Sequence, residues 1–284
     1  MSKVRSIQQA VRLIQDGMQV GIGEFSYQNP PMTVVREIIK QKKKNLTIIS
    51  GPTSGLATDM LIGAGCVRKV VTACVAFEQV AGIAPAFRQA CEQGKLQVWE
   101  CDECIWQLGL QASAWGMPFM LWQGGVGSDI PKLNPDLRLV QVDAHGNVRA
   151  ASGKRQQHKQ GTQSLVYVQI PAIRPDITFI HAAAGDAAGT VQYPRQRYLG
   201  RTFNEALLAR ATHGPVIATV ERLISAEQTQ KHPELTVLRD AMVIEAVDGA
   251  RPGGCNGVYP PDLEAYRAYV RTCLNKRKVK HNDA

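Results

Sequence analysis

The spacing of apolar and polar positions alternates between a helical period and a strand period along most of the chain. Apolar residues recur at helical spacing after Ser6, a capping residue type, and the resulting amphipathic helix is predicted to end at Gly17. A second helix is predicted over 31–40, with Pro31 in its first turn. Further helices are predicted at 58–65, 85–95, 103–115, 204–211 and 262–274. Short runs rich in β-branched residues predict strands at 18–25, 46–51, 67–76, 96–101, 118–122, 137–144, 164–171, 176–184 and 216–224.

Repeated strand–helix units of this length predict an α/β fold, a three-layer αβα arrangement around a mainly parallel central sheet. The sequence contains no internal repeat and no low-complexity linker, which favours a single domain over 1–284. The polar segment 151–163 is the best candidate for a flexible excursion.

The net charge of +9 changes this picture little. Part of it lies in two short runs, Lys40–Lys44 and Lys276–Lys280, each at the end of a predicted helix, where cations suit the negative end of the helix dipole. These runs are interpreted as solvated helix ends, with binding of an acidic partner or a polyanionic cofactor as the alternative. No basic face interleaved with aromatic residues is present, so a nucleic-acid partner is not expected.

Cysteine usage indicates a reducing compartment. The seven cysteines stand at 66, 74, 91, 101, 104, 255 and 273, an odd number without the spacing of a disulfide scaffold. The first residues lack the apolar block of a signal peptide, and no run of 18 apolar residues exists, so neither secretion nor membrane insertion is expected. The predicted location is the cytoplasm.

Glycine-rich loops follow several predicted strands, and in parallel α/β sheets ligands bind beyond the carboxyl ends of the strands. Gly21 and Gly23 end the first strand, where backbone N–H groups could approach a substrate oxygen, although the two glycines alone favour a purely conformational role. The loop at 122–131 could wrap around a ligand or another chain. His181 is the first residue of the loop at 181–193. It is interpreted as a hydrogen-bonded core residue in preference to a catalytic base. The Gly/Pro-rich segment 251–261 is expected to pack near the site or a partner. A nucleophile elbow is absent.

The stretch "CDEC" at 101–104 allows three interpretations. A zinc site would need further ligands, and two acidic residues between the cysteines would blunt a redox pair. Asp102 as helix cap and Glu103 in the first turn is the structural interpretation. Glu103 would nevertheless lie at the carboxyl end of a strand, where an ionised carboxylate could act as a nucleophile or activate water.

Several longer segments resemble the α subunit of family I coenzyme A transferases, the glutaconate CoA-transferase group in particular. They are "DGMQVGIGEFSYQNPPMTVVREII", "NLTIISGPTSGLATDMLIGAGCVRKVV", "APAFRQACEQGKLQVWECDECIWQLGLQASAWGMPF", "GGVGSDIP" and "HAAAGDAAG". The usual signature of that subunit is matched by Asp16, Gly17, Gly23, Phe25 and Pro31. This chain departs from the signature at two positions. Glu24 stands where the family has its second Gly, and Asn29 stands where the family has its third.

The resemblance implies that this chain is one of two different subunits that together form the enzyme. In the family the nucleophilic glutamate belongs to a β subunit, inside a Ser-Glu-Asn-Gly motif, and no Glu-Asn-Gly occurs here. A separate β subunit, often in an α2β2 assembly, is therefore implied, with acyl-CoA thioesters and carboxylates as substrates and with neither a permanently bound cofactor nor a metal. The implied substrate-binding residues are Gly21, Gly23, Glu24, Phe25, Gly125, Gly127 and Ser128.

Two other functions remain open at this stage. Glu103 resembles an essential glutamate in the α subunit of a related heteromeric hydrolase, which opens the last ring of steroid breakdown products as CoA thioesters and has "MDEG" where this chain has "CDEC". On that interpretation Glu103 is the catalytic residue and activates water. An effector-sensing role is the third candidate, because related folds bind sugar phosphates, but no helix-turn-helix segment accompanies this sequence.

Overall fold

A computed structural model describes residues 6–151, 165–196 and 199–282, with the backbone alone for 199–202 and 276–282. The predicted excursion at 151–163 and the side chains of the predicted basic run at 276–280 therefore lie outside the described residues. Nine α-helices occur in the described ranges: α1 (Ile7–Arg12), α2 (Met32–Lys40), α3 (Leu56–Gly63), α4 (Pro85–Glu92), α5 (Glu103–Ala114), α6 (Ile130–Leu133), α7 (Leu199–Ala211), α8 (Ala226–Lys231) and α9 (Leu263–Asn282). A 3-10 turn spans Pro233–Leu235.

A nine-stranded sheet occupies the centre of the molecule. Seven strands form its main path in the order β14-β12-β11-β1-β2-β3-β6, while β13 pairs with β11 and β15 pairs with β13. The neighbours are parallel throughout the path from β15 and β13 through β11, β1, β2 and β3 to β6. The β11–β12 and β12–β14 pairs are antiparallel, so β12 is the strand of this sheet that runs against the others. The strands of this sheet are β1 (Gln19–Ile22), β2 (Leu46–Ser50), β3 (Val67–Val71), β6 (Gln97–Trp99), β11 (Ile177–Gly185), β12 (Val191–Gln192), β13 (Val216–Leu223), β14 (Thr236–Leu238) and β15 (Met242–Glu245).

A second, antiparallel sheet departs from the simple alternation of the sequence pattern. It has the order β7-β10-β8-β9 and is formed by β7 (Phe119–Trp122), β8 (Arg138–Val142), β9 (Val148–Ala150) and β10 (Leu165–Pro171). The sequence pattern predicted three of these strands but did not separate them from the parallel series. The connection between β8 and β9 is a tight turn in which the Asp143 carboxylate accepts the backbone N–H groups of His145 and Asn147. Such a short connection joins antiparallel strands, whereas parallel neighbours need a long crossover. A two-stranded ribbon, β4 (Ala76–Phe77) with β5 (Gly82–Ile83), completes the described strands.

Helices cover both faces of the central sheet. Consecutive residues of β2 show this, because Ile48 packs in the core formed with α1, α2, α3 and α9, whereas Ile49 packs in the core formed with α5 and α7. Both side chains are fully buried. A strand between two helical layers has an apolar face on each side, which is why its sequence reads as a continuous apolar run. The predicted αβα fold with a mainly parallel sheet is thereby confirmed, while a single domain over 1–284 stays a prediction.

Within the described ranges, none of the helices combines the length and the apolar character needed to cross a membrane.

Candidate active site

One edge of the central sheet collects the segments that follow four adjacent parallel strands. The strands β1, β2, β3 and β6 lie side by side and point the same way, so the residues after them meet at a common edge. These segments are 23–29, 51–54, 72–75 and 100–103. Two of these segments, 23–29 and 100–103, contain residues for which the sequence predicted a site.

Glu24 follows β1, but its carboxylate is directed into the protein and is only 1% exposed. Its Oε1 accepts the backbone N–H of Thr58 at 3.0 Å and the Thr58 hydroxyl at 2.7 Å, and its Oε2 accepts the N–H of Ala57 at 3.1 Å. These N–H groups belong to the first turn of α3, whose N-cap residue, Gly55, has no side chain to cap them. Glu24 therefore caps a helix from another part of the chain.

Burial raises the pKa of the Glu24 carboxyl, and the hydrogen bonds from Thr58, Gly55 and Ala57 oppose this shift. The replacement of a family glycine by Glu24 is explained by this capping contact. Its predicted contact with substrate stays a prediction, and in this structure both carboxylate oxygens accept hydrogen bonds from the first turn of α3.

Gly21 and Gly23 have a packing role, in line with the conformational role that the residues alone favoured. A β-carbon at Gly21 would lie 2.1 Å from Thr178 Oγ1, and one at Gly23 would lie 2.7 Å from Ile180 Cγ2. Only glycine permits β1 and β11 to approach this closely. The N–H of Gly23 already donates to the carbonyl of Phe179 at 2.8 Å, so this amide is not available as an oxyanion donor. Substrate binding by these two glycines stays a prediction.

The segment after Glu24 is a tight turn held on both sides. The backbone N–H of Phe25 donates to the carbonyl of Gln28, and that of Gln28 donates back to Phe25. Ser26 has a positive φ of 55° and donates from its hydroxyl to Oε2 of Glu78 at 3.0 Å. The turn leaves Phe25 half-buried, the one residue of the predicted set in this loop with a partly accessible side chain. The Ser26–Glu78 contact joins residues 52 positions apart, so sequence pattern carried no signal for it.

Glu103 is the first residue of α5 and is exposed. Asp102 is the N-cap, as predicted, and its side chain accepts the N–H of Ile105 at 2.8 Å. The Glu103 Oε1 accepts from Nε2 of Gln107 at 3.3 Å, and the same amide group donates to Asn204 Oδ1 at 2.9 Å. A carboxylate at a helix N-terminus is stabilised by the helix dipole. Glu103 thus offers an accessible carboxylate at the sheet edge.

The two cysteines around Glu103 do not form a pair. Cys101 is buried, Cys104 is exposed, and no disulfide bond joins any of the seven cysteines. Burial, followed by the charges of neighbouring acidic residues, raises the pKa of both thiols. Thiols with raised pKa values are poor nucleophiles at neutral pH, which agrees with the sequence-based expectation against a redox pair.

The loop 123–129 lies beside the first turn of α5. A β-carbon at Gly125 would lie 3.0 Å from Val168 and 3.8 Å from Ile105, two positions after Glu103. Ser128 folds back to donate from its hydroxyl to the carbonyl of Gly125 at 2.9 Å, and Gly127 has a φ of 88°. The structure therefore brings this predicted loop next to the helix of Glu103. Strand β1 is three strand spacings from β6, about 14 Å across the sheet, so the Gly23 loop and Glu103 belong to the same edge without direct contact.

His181 is a hydrogen-bonded core residue, the role that the sequence favoured. It is fully buried in β11, with Nδ1 at 2.9 Å from Thr219 Oγ1 and Nε2 at 2.8 Å from Glu221 Oε1. Burial opposes ionisation of Glu221, but hydrogen bonds from His181, Tyr259 and the N–H of Asp248 outweigh it and lower the pKa of that carboxyl to about 2.

Two relatives extend over most of this chain. The A subunit of 3-oxoadipate CoA-transferase from Pseudomonas knackmussii is 29% identical over 274 residues, which cover 95% of this chain and 88% of the relative. The IpdA subunit of the cholesterol ring-cleaving hydrolase from Mycobacterium tuberculosis is 28% identical over 257 residues, covering 89% and 80%.

Two solved structures have the same fold. Glutaconate coenzyme A-transferase from Acidaminococcus fermentans superposes with a TM-score of 0.79 at 26% identity, covering 96% of this chain and 84% of the other. A variant of the decarboxylase AibA/AibB also gives a TM-score of 0.79, at 27% identity and with 99% and 97% covered. The sequence pattern of the family described as Coenzyme A transferase matches residues 4–249. The chain therefore belongs to the coenzyme A transferase family.

Proposed function

We propose that this chain is the α subunit of a heteromeric CoA-transferase, which moves CoA between an acyl-CoA thioester and a carboxylic acid with a nucleophilic glutamate supplied by a separate β subunit. One observation carries the proposal. The carboxylate that follows β1, Glu24, is buried and bonded to helix N–H groups, and the sequence has no Glu-Asn-Gly motif to supply another nucleophile. The similarity to the A subunit of 3-oxoadipate CoA-transferase supports a second subunit.

The chemistry would proceed through covalent intermediates on the partner's glutamate. Its carboxylate attacks the thioester to form an acyl-glutamyl anhydride and release CoA thiolate. The thiolate attacks the glutamyl carbonyl, which releases the first carboxylic acid as its carboxylate and leaves a glutamyl-CoA thioester. The incoming carboxylate then reverses these two steps, so that CoA leaves on the new acyl group and the glutamate is regenerated. This chain would contribute the wall of the site formed by the loops at 23–29 and 123–129.

Apolar exposure beside the second loop supports a docking face. Val126, in that loop, is 39% exposed, and Leu133, at the end of α6, is 65% exposed. Large apolar side chains that are exposed in a subunit lose their contact with water when a partner covers them, which favours assembly. A β subunit that covers this face would also close the site above Glu103.

Ring-opening hydrolysis is the second candidate, and the position of Glu103 favours it. An exposed carboxylate in the first turn of a helix, at the end of a parallel strand, has the access and the charge required to activate water. The similarity to the IpdA subunit supports the same interpretation.

The two candidates differ in their response to Glu103→Gln. The complex reconstituted with its β subunit would be tested on a panel of acyl-CoA thioesters, with and without a carboxylate acceptor. On the transferase proposal, CoA transfer needs the acceptor and survives Glu103→Gln within a few-fold. On the hydrolase interpretation, water opens the ring of panel members with a cyclic acyl group and leaves the thioester intact. Ring opening then needs no acceptor and falls in Glu103→Gln by a factor on the order of a hundred or more, as for loss of a general base.

Glu100→Gln is the matched control, because Glu100 is also exposed and stands three residues earlier in the same segment. It should leave either activity unchanged. Release of CO2 from the thioester panel without CoA transfer would contradict both candidates.

A reducing location is consistent with this proposal. The absence of disulfide bonds among the seven cysteines, all of which lie in described residues, supports the cytoplasm as the place where the subunit acts.

A further inference from the structure

Three potential metal ligands meet beside β11, next to the turn that follows β1. His181 lies on β11, Glu221 lies on the adjacent strand β13, and Cys255 lies in the loop between β15 and α9. One ligand atom from each residue lies within 4.8 Å of the other two. The residues are 40 and 34 positions apart in sequence, so only the fold brings them together.

The hydrogen bonds around His181 determine which ring nitrogen carries its proton. The Thr219 hydroxyl donates to the carbonyl of Ile180 at 3.2 Å, so Thr219 Oγ1 must accept the Nδ1–H of His181. A neutral His181 then directs the lone pair of Nε2 at the Glu221 carboxylate, 2.8 Å away. Two electron-rich atoms at this distance require either a proton or a metal ion between them.

The surroundings match those of metal-binding histidines in proteins. Such a histidine donates its other ring N–H to an oxygen that fixes its orientation, as His181 does to Thr219. The Glu221 carboxylate is oriented in the same way, since it accepts the N–H of Asp248 at 2.8 Å and the Tyr259 hydroxyl at 2.5 Å. Cys255 is fully buried beside them and adds a sulfur donor.

An ion could reach these donors from a neighbouring cavity of about 640 Å3. Glu221, Tyr193, Gly257 and Val258 are among its lining residues, and the Glu221 side chain is 10% exposed. Two of these lining residues, Gly257 and Val258, closely follow Cys255 in the same loop. The cavity therefore gives an ion an entry path to the otherwise buried donors.

We propose that His181, Glu221 and Cys255 bind a divalent transition-metal ion of the Zn2+ type. An imidazole nitrogen, a carboxylate oxygen and a thiolate sulfur form a donor set that suits Zn2+, and the Tyr259 oxygen or a water molecule from the cavity completes four-coordination. Binding releases two protons to solvent, the Cys255 thiol proton and the proton between Nε2 and Oε1, and requires these two atoms to separate to roughly 3.3 Å, the spacing set by tetrahedral bonds of about 2.0 Å.

The metal would hold the loop of Cys255 against the candidate active site. The N–H of Gly254 donates to the carbonyl of Tyr27 at 2.8 Å, and the N–H of Asn256 donates to Asn29 Oδ1 at 2.9 Å. The residues on either side of Cys255 thus support the turn that follows β1. A metal bond at Cys255 would hold Gly254 and Asn256 in place against this turn. The metal would then have a structural role and take no part in the transfer chemistry.

Cobalt substitution in the purified full-length chain tests this proposal. After removal of metal with a chelator, titration with Co2+ should give one bound ion per chain, a thiolate-to-cobalt charge-transfer band and the intense visible bands of tetrahedral Co2+. Cys255→Ser should abolish the charge-transfer band. Cys101→Ser, a change at another buried cysteine, should leave it unchanged.

A second measurement needs only the wild-type chain and so does not require the Cys255→Ser variant to fold. Zn2+ should raise the midpoint of thermal unfolding of the metal-free wild-type chain, because a ligand bound only by the folded state stabilises it. The proposal is overturned if the wild-type chain binds no stoichiometric Co2+, or if the charge-transfer band persists in a folded Cys255→Ser chain. In either case the contact between His181 and Glu221 is an ordinary hydrogen bond with a proton between the two atoms.

Discussion

At the scale of single residues, Glu24 and Glu103 show how position decides what a glutamate does. Both follow parallel strands at the same sheet edge, but Glu24 turns inward and caps α3, whereas Glu103 stands exposed on α5. We expect Glu24→Gln to lower the free energy of unfolding by about 2 kcal/mol, because the amide NH2 would replace an oxygen that accepts a buried N–H. Urea unfolding monitored by circular dichroism measures this loss.

The control for Glu24→Gln is Glu227→Gln, at an exposed glutamate whose ion pair with Lys231 lies at the surface. That change should alter stability by less than about 0.5 kcal/mol. An equal loss in the two variants would argue against capping by Glu24.

At the scale of elements, Asp59 links three helices and makes their packing depend on pH. This residue of α3 accepts the N–H groups of Phe87 and Ala86 at the start of α4 and the hydroxyl of Tyr269 on α9. Burial raises the pKa of the Asp59 carboxyl to about 6, despite these hydrogen bonds. Since the folded-state pKa lies above the ordinary value of 3.8, the protonated form favours folding, and this contribution is lost as pH rises through 6. Between pH 7 and pH 5 the wild-type chain should therefore gain about 1 kcal/mol relative to Asp59→Asn.

Urea unfolding at the two pH values, for both chains, measures that difference. Asp262→Asn supplies the comparison, because Asp262 also accepts a helix N–H, that of Ala265, but is exposed. A wild-type chain that loses stability relative to Asp59→Asn on acidification would show that the sign is wrong.

At the scale of the whole molecule, the chain presents a wall of a site and needs a partner to complete it. Of the exposed apolar residues, Val126 lies in the loop that packs on the helix of Glu103, and Leu133 lies in α6, which follows that loop. The purified chain alone should therefore show no CoA transfer above background, and activity should appear on mixing with its β subunit. Transfer assays across a titration of β subunit measure this, and full activity from the single chain would overturn the assignment as an α subunit.

Local patterns in the sequence determined much of the fold and part of the site. Capping at Ser6 and Asp102, the helix after Pro31 and the continuous apolar run of β2 depend on neighbouring residues, and the structure confirms each of them. The family segments also indicated the sheet edge that carries Glu103. These features could be predicted because helix and strand periods, caps and turns act over only a few positions.

Only the tertiary structure decided the features that depend on distant residues. It separated an antiparallel second sheet from the parallel series, directed Glu24 onto the first turn of α3, and used the N–H of Gly23 for pairing with β11. It also placed Cys255, which looked isolated in sequence, beside His181 and Glu221. The physical reason is common to all of them: a buried polar group must find a partner, and the partner is chosen by which strands and helices become neighbours, a choice that local sequence does not encode.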